Sequence, residues 1–521
     1  MKNDDLTSAM AWAKVAAHFA SVRHSGIYMS PQLEQTLLEV AQRITQEPPA
    51  ISGTFYMKNK LGNMGKMRFL HVVTEGYSTG GHSLFVARWI RNTLENSVHS
   101  LIATAQNGEI PSLLRDAVDA SGGWVTSLTE LSPDLAEQAL LLRLLAQDWA
   151  DVIVLFIHPF DPLPLVAFGV SGGPPVIYCN HADHAFWLGV SVADVVLDYH
   201  LAGSDICRKR RGTANSKILP IPLTNSNPLQ TKEDARGELG LSKSEFILLT
   251  VGREEKYFPY DGIDFINVMA GFLKNQQGVK LVVAGPQNIG RWRLASEESE
   301  GKIEVLGQLD HDRLEKYYVA SDVYVPSFPC GSGTALLEAA MHNLPIVGLR
   351  FKELPNFNLA DDVGLSKVKV YHSTIDGFAE ALKSALKNQQ IHHKKALLLK
   401  ENVEREHCSP GWNSYLNNVL QSLPFQHKVH LPKVVSETPT YADAYWESIS
   451  AQMLGNELPE HSYSRLIRVY SQYLPKTDVL RAQAESFLVA FFQVDSFKRS
   501  RQYFSSLKES AASVFSGAFS A

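Results

Sequence analysis

Apolar positions recur at helical spacing through Met10, Trp12, Val15, Ala16 and Phe19, and again from Leu33 to Ile44 before Pro48-Pro49. This spacing predicts two helices within residues 1–65. The texture changes at Met67-Arg-Phe-Leu-His-Val-Val-Thr74, a short apolar run followed by a turn containing Gly76, Gly80 and Gly81 and by a helical pattern from Ser83. Strand, glycine turn and helix open a βαβ unit. Further strands are expected over Ser100–Ala105, Asp151–Ile157, Pro175–Cys179 and Val195–Ala202, with a leucine-rich helix over Glu137–Gln147. Strands that are apolar throughout, rather than in alternation, belong to parallel sheets covered on both faces. The polar, proline-rich Pro220–Pro228 reads as a linker.

After it the pattern restarts. Strands are expected at Phe246–Val251, Val279–Ala284, Ile303–Val305, Val323–Val325 and Pro345–Gly348, with helices at Ile263–Lys274, Arg313–Ala320 and Thr334–His342. The predicted fold class is α/β, with two doubly wound Rossmann-like parallel-sheet domains facing a cleft. They occupy residues 66–228 and 229–423, between a helical extension over 1–65 and another over 424–521. That second extension is expected to hold helices at Tyr463–Tyr473 and Val479–Phe492 and to end in a mobile Ser- and Ala-rich stretch. No internal repeat is visible beyond the echo between the two halves.

Composition narrows the class. With 45% hydrophobic and 20% charged residues, the chain is neither disordered nor of low complexity. A net charge of −5 argues against a nucleic-acid partner. Cys179, Cys207, Cys330 and Cys408 are widely spread, without a C-x-x-C pair, and indicate neither a disulfide framework nor a zinc ribbon. The start, MKNDDLTSAMAWAK, lacks the basic and apolar stretches of a signal peptide, and no run is long enough to span a bilayer. A cytoplasmic location is expected.

Candidate chemistry concentrates between Pro326 and Pro345. There a strand end and a loop with Gly331 and Gly333 deliver Thr334 to a helix start. Unpaired backbone N–H groups at the positive end of a helix form a seat for phosphate. Glu338, four residues on, shares a face with Thr334 and suits a ribose hydroxyl. The ordinary alternative is a glycine turn followed by a glutamate of no special role. Arg253 and Lys256, after the first strand of the second half, can grip a diphosphate; equally, they are two bases in a charged loop. His181, Asp183 and His184 are metal-ligating types without a fourth partner in the sequence, so no metal is expected. His158 either lines the cleft or closes a strand end. Arg208-Lys-Arg-Arg211 reads as the solvated face of a short helix capped by Ser204 and ended by Gly212, in preference to a membrane-binding patch.

Taken together, Gly252-Arg253-x-x-Lys256, Val283-Ala-Gly-Pro286, the run from Gly307 through Leu314, Tyr317 and Asp322 to Val325-Pro-Ser327, and Gly333-x-x-x-Leu-Glu-Ala339 with Pro345-Ile-Val347 resemble the nucleotide-binding half of GT-B glycosyltransferases. They are most similar to retaining family 4. Ser409-Pro-Gly-Trp412 resembles the opening of that family's closing helix, and Gly80-Gly81-His82 and Asn180-His181 resemble its glycine loop and histidine motif. The resemblance implies that Arg253 and Lys256 bind a donor diphosphate, that Gly333 and Thr334 abut the phosphates, and that Glu338 holds the ribose. It further implies that Gly81 abuts donor phosphate or acceptor and that His181 faces the donor sugar. One departure is chemical: the first of the family's two glutamates falls on Cys330, and a thiol supplies neither its charge nor its hydrogen bonds.

The function so implied is transfer of a hexose or N-acetylhexosamine from a nucleotide-diphosphate sugar to an acceptor hydroxyl, with retention, in glycan or surface-polysaccharide assembly. Neither cofactor nor metal is expected. The acceptor is a glycan, a lipid-linked species or a protein; peripheral contact with the inner membrane face and self-association are both compatible with this reading. The alternatives are a non-catalytic GT-B binding or scaffold protein, which Cys330 keeps open, and a nucleotide-sugar epimerase.

Overall fold

The computed structural model describes residues 3–51, 65–213, 215–225, 230–351, 363–431, 433, 438–455, 457, 459–477, 479–480, 504–505 and 507–508. The chain forms two compact units, one of residues 1–219 with 415–521 and one of residues 220–414.

The first unit is built on seven strands: β1 (Met67–Val73), β2 (Ser97–Ala103), β3 (Val125–Ser127), β4 (Val152–Phe156), β5 (Val176–Asn180), β6 (Val195–Asp198) and β7 (Ser216–Ile218). All pair in parallel in the order 3-2-1-4-5-6-7, with Phe69 opposite Val152 and Val73 opposite Phe156. β2, β4, β5 and β6 are buried at every position. The largely apolar runs of β4, β5 and β6 predict this, whereas β2 also buries Ser97, His99 and Ser100 and runs from Ser97 to Ala103 instead of the expected Ser100–Ala105. The helices Asn3–Val22 and Pro31–Gln46 are not appended to this unit but packed into it. Met10, Trp12, Phe19, Leu37 and Ile44 share one core with Val72, Leu155 and Tyr178, and so do Tyr463, Ile467 and Phe504 near the other end of the chain. Each such apolar side chain contributes roughly 1.5–3 kcal/mol when fully buried.

The second unit has β8 (Phe246–Val251), β9 (Val279–Ala284), β10 (Ile303–Gly307) and β11 (Val323–Tyr324), parallel in the order 10-9-8-11. Ile346 bridges in parallel to Tyr324, and β12 (Gly348–Leu349) pairs with β13 (Tyr371–His372). Successive residues of β8 serve opposite faces. Ile247 and Leu249 join one hydrophobic cluster and Leu248 another, so the sheet is covered on both sides. The fold is α/β and of the GT-B class.

Several local expectations need correction. The strand expected over Val195–Ala202 ends at Asp198, and a helix runs from Leu201 to Arg210. Its cap is His200, not Ser204: the imidazole Nδ1 accepts the Gly203 N–H at 3.1 Å. The basic run is not wholly a solvated face. Arg208 and Lys209 pair with Asp205 at the surface, but Arg210 reaches Asp443, and Arg211 is fully buried, donating to the carbonyls of Asp183 and Ala185. Carbonyls exposed by the irregular 181–189 segment need donors, and arginine supplies five. The short β3 and β7 and the helices Ser112–Ser121, Ile375–Lys387, Gln389–His407 and Tyr441–Met453 are additions to the expected elements. Gln389–His407 and Tyr441–Met453 are weakly periodic, but Ser112–Ser121 and Ile375–Lys387 are clearly amphipathic and their period is legible in the sequence. Most of the helix expected over Val479–Phe492, and nearly all of the closing Ser- and Ala-rich stretch, lie outside the described residues.

Candidate functional site

In the second unit the strand ends pack so tightly that only glycine fits. A Cβ on Gly285, whose φ is +120°, would lie 2.0 Å from the Gly252 carbonyl oxygen, and one on Gly252 would lie 2.7 Å from Ser332 Oγ. Two motif glycines are thereby explained by contact. The close approach brings the loop after β8 against the loop after β11. Ser327 Oγ donates to the Cys330 carbonyl at 2.8 Å, fixing the turn that leads to the helix Gly333–Met341. Ser332 precedes that helix in extended conformation with no side-chain cap. Gly331, Ser332, Gly333 and Thr334 are half-buried.

Lys256 Nζ approaches Cys330 Sγ to 3.2 Å, so an ammonium stands at the start of that helix. It faces the residue that occupies the place of the first family glutamate. Arg253 is placed differently. It caps a turn of 3-10 helix over Glu254–Tyr257, is 81% exposed, and pairs through Nε with Glu255 at 2.9 Å. Glu338 lies one turn into the helix, half-buried, accepting the Tyr318 hydroxyl at 3.5 Å. Burial, and then the Glu338 charge, raises the Tyr318 pKa well above its ordinary value, so its O–H remains a donor. Lysine, glycine loop and helix start therefore converge, with Glu338 a turn further on and Arg253 turned to solvent. An ammonium beside the positive end of a helix can hold a phosphate-type anion. Tyr318 was missed by sequence reasoning: it adjoins the motif tyrosine Tyr317, is buried like it, and carries no spacing signal of its own.

In the first unit the strand ends carry imidazoles. Gly80 has φ +99° and precedes the helix Gly81–Asn92, so Gly81 stands exposed at its first position. His82 Nε2 donates to the Phe156 carbonyl at 3.0 Å, and its ring meets that of His181 edge-on at 4.8 Å. His181 stacks on Phe156, and its Nδ1 reaches the Cys179 carbonyl at 3.4 Å, which leaves Nε2 with its lone pair. Burial, then the neighbouring His82 and His158, holds the His181 pKa well below the usual imidazole range. His82 is lowered to about 4, again chiefly by burial. His158 follows β4, takes its N–H to Thr74 Oγ at 2.8 Å and meets the Tyr77 hydroxyl at 3.0 Å. Asp183 links His184 at 3.3 Å and His200 at 3.2 Å. Among the described residues, no group of three or more His, Cys, Asp or Glu is arranged to hold a metal ion. Nor is any helix of these residues long and apolar enough to cross a membrane.

Residues 245–388 match the family described as "Glycosyl transferases group 1". That stretch contains Arg253, Lys256, Cys330 and Glu338. Among solved structures, HepE of Anabaena in complex with UDP and glucose is similar over 68% of this chain and all of its own, at 13% identity and a TM-score of 0.50. An O-GlcNAc transferase mutant of Thermobaculum terrenum is similar over 85% of this chain and 79% of its own, at 13% identity and a TM-score of 0.49. No curated protein matches the chain.

Proposed function

We propose that the chain is a retaining glycosyltransferase that moves a hexose or N-acetylhexosamine from a nucleotide-diphosphate sugar to an acceptor hydroxyl. The observation that carries this reading is the convergence of Lys256, Gly331, Gly333 and Thr334 at one helix start, within a stretch matching a glycosyltransferase family. Breaking the bond from the anomeric carbon to phosphate builds negative charge on the leaving diphosphate. Fixed positive groups lower the barrier at that point. Lys256 and the helix start supply them here, Arg253 adds to them on leaving Glu255, and Glu338 accepts from the ribose hydroxyls. His181, with Nε2 as acceptor, faces the donor sugar in this reading, and Gly81 leaves room for phosphate or acceptor. The leaving phosphate takes the acceptor's proton, so no protein nucleophile is required, and neither metal nor other cofactor takes part. Cytoplasmic assembly of a surface polysaccharide on a lipid-linked acceptor is the setting that suits this chemistry, with peripheral contact at the inner membrane face.

The test is binding and slow hydrolysis of UDP-, GDP- and ADP-sugars by the wild type and Glu338→Ala. HepE, of the same fold, holds UDP and glucose, which makes UDP-glucose the first compound to try. Selective binding with hydrolysis, weakened about tenfold or more in the variant, is expected, since hydrogen bonds to charged groups contribute about 1.5–3 kcal/mol. Absence of binding by every nucleotide sugar overturns the proposal. Tight binding without turnover, with acceptors present, favours the scaffold reading that Cys330 introduces.

A further inference from the structure

We infer that a row of rings on the first unit, Tyr77, His158, Phe160 and His18, with the Glu75 carboxylate beside it, is a binding site for a neutral sugar ring. This rests on the transferase reading, of which it would be the acceptor subsite. Tyr77 and Glu75 follow β1, and His158 and Phe160 follow β4, so all four emerge at the carboxyl edge of one parallel sheet. Ligands of doubly wound sheets bind at that edge. The loop is fixed rather than loose. The Tyr77 N–H donates to Ser83 Oγ at 2.7 Å and the Gly76 N–H to Gln106 Oε1 at 2.8 Å.

The rings are continuous. Tyr77 and His158 lie near parallel at 6.0 Å, His158 and Phe160 meet at 5.3 Å with their planes tilted by 51°, and Phe160 and His18 stack face to face at 3.8 Å. His18 Nδ1 then meets the Tyr470 hydroxyl at 2.7 Å. Tyr77, at the outer end, is 40% exposed, and His158, Phe160 and His18 are half-buried, so the row opens to solvent chiefly at Tyr77. Along it runs a polar line: the Tyr77 hydroxyl donates to Glu75 at 2.9 Å and meets His158 Nε2 at 3.0 Å. Aromatic faces beside a carboxylate and an imidazole match a pyranose, which offers an apolar C–H face and a rim of hydroxyls.

The rings themselves are uncharged, and the nearest charges are mixed, Glu75 at the Tyr77 end and Lys14 and Arg465 at the His18 end, which suits a neutral ligand. Burial first, with Lys14 next, lowers the His18 pKa to about 3, and burial lowers that of His158, so both rings are uncharged at neutral pH. Burial, reinforced by Glu75, keeps the Tyr77 hydroxyl protonated. Glu75 repels phosphate. The site thus has the opposite character to the lysine-bearing helix start of the second unit. His18 and Tyr470 belong to segments outside residues 245–388, so the helix Asn3–Val22 and the region after Pro459–Val469 acquire a role in ligand choice as well as in packing.

The test is saturation-transfer NMR on the full chain with the methyl glycosides of glucose, galactose, mannose and N-acetylglucosamine, each at millimolar concentration. Wild type, Tyr77→Ala and Glu75→Gln are compared, with UDP, GDP and ADP titrated separately into the wild type. At least one glycoside is expected to bind the wild type, and Tyr77→Ala to weaken it about tenfold, the loss of about 1.4 kcal/mol of stacking and hydrogen bonding. Glu75→Gln, which preserves shape, is expected to weaken it about threefold and serves if Tyr77→Ala fails to fold. No glycoside bound by the wild type, or unchanged affinity in both variants, overturns the site. Nucleotide binding with no glycoside binding sinks the acceptor site alone; glycoside binding without any nucleotide binding sinks the transferase reading alone.

Discussion

The two units present their chemistry on the same architectural feature, the carboxyl edge of a parallel sheet, and fill it with opposite means. The second unit places an ammonium, a glycine loop and a helix start there, all suited to negative charge. The first places His82, His158 and His181 there, which burial keeps neutral, among Phe156, Tyr77 and Phe160. A phosphate seat depends on backbone geometry and a few glycines, so it leaves spaced motifs in a sequence. A neutral ring surface depends on side chains drawn from distant segments, such as His18 and Phe160, and leaves none.

The sharpest way to separate the units is acid. Burial lowers His18 and His71 to about 3 and His82 to about 4, and also holds down His99 and His181. These groups bind protons more readily in the unfolded chain, where the ordinary value is 6.5. Their contribution to stability is therefore whole above pH 6.5 and is lost as the pH falls from there toward 3–4. At about pH 5 each fully buried imidazole costs roughly 2 kcal/mol relative to pH 7, and a handful removes most of a marginal stability. In the second unit His342 is lowered to about 4 and His407 is lowered too, both chiefly by burial, while His372 and His392, though lowered, are far less enclosed, so fewer imidazoles are at stake there. Peptide-resolved hydrogen exchange at pH 7 and 5, corrected for intrinsic rates, should show β1, β2 and β4 losing protection before β8 and β9. Earlier opening of β8 and β9 would contradict this ranking.

The next effect concerns how the first unit is held together. Asp443 has no exposed side-chain surface and takes His24 Nε2 at 3.0 Å, the Tyr28 hydroxyl at 2.9 Å and Arg210 at 3.1 Å, while its carboxylate also completes the capping box with Thr440. Asp443→Ala leaves the buried His24 imidazole without its carboxylate and the half-buried Arg210 guanidinium with only the Gly26 carbonyl. Such a loss costs about 3–5 kcal/mol. Urea unfolding should report that drop in transitions followed through the first unit, with β8 and β9 as protected as in the wild type. A drop below about 1 kcal/mol would mean that the terminal segments are appended rather than integral.

Much of the fold was legible because strands such as β4 and β8 are almost wholly apolar. β8 falls on its expected residues and β4 within one residue at each end, whereas β2, with two serines and a histidine, begins three residues before its expected start. The phosphate-type loop was legible because Gly252, Gly285 and Gly333 sit at fixed distances along the chain. What was hidden depended on tertiary partners. Arg210 and Arg211 look like surface charge until Asp443 and the carbonyls of Asp183 and Ala185 are seen to receive them. His200 does not look like a helix cap, because caps are usually hydroxyls or carboxamides. The pairing of Lys256 with Cys330 was equally invisible, since nothing in a spacing of 74 residues announces it.

The smallest predicted effect separates two bases that the sequence treats as equals. Lys256 stands at the helix start, and a charge-assisted bond to phosphate there contributes about 1.5–3 kcal/mol. Lys256→Ala should weaken UDP or GDP binding by tenfold or more, as measured by calorimetry. Arg253 is 81% exposed and already paired with Glu255. Its engagement must first break that ion pair, worth about 0–1 kcal/mol, and must order a long side chain from solvent. Arg253→Ala should therefore cost less than about fivefold in the same titration. Arg253→Ala exceeding Lys256→Ala would mean that the guanidinium leaves Glu255 for the diphosphate while Lys256 stays with the thiol, and the roles of the two bases would be exchanged.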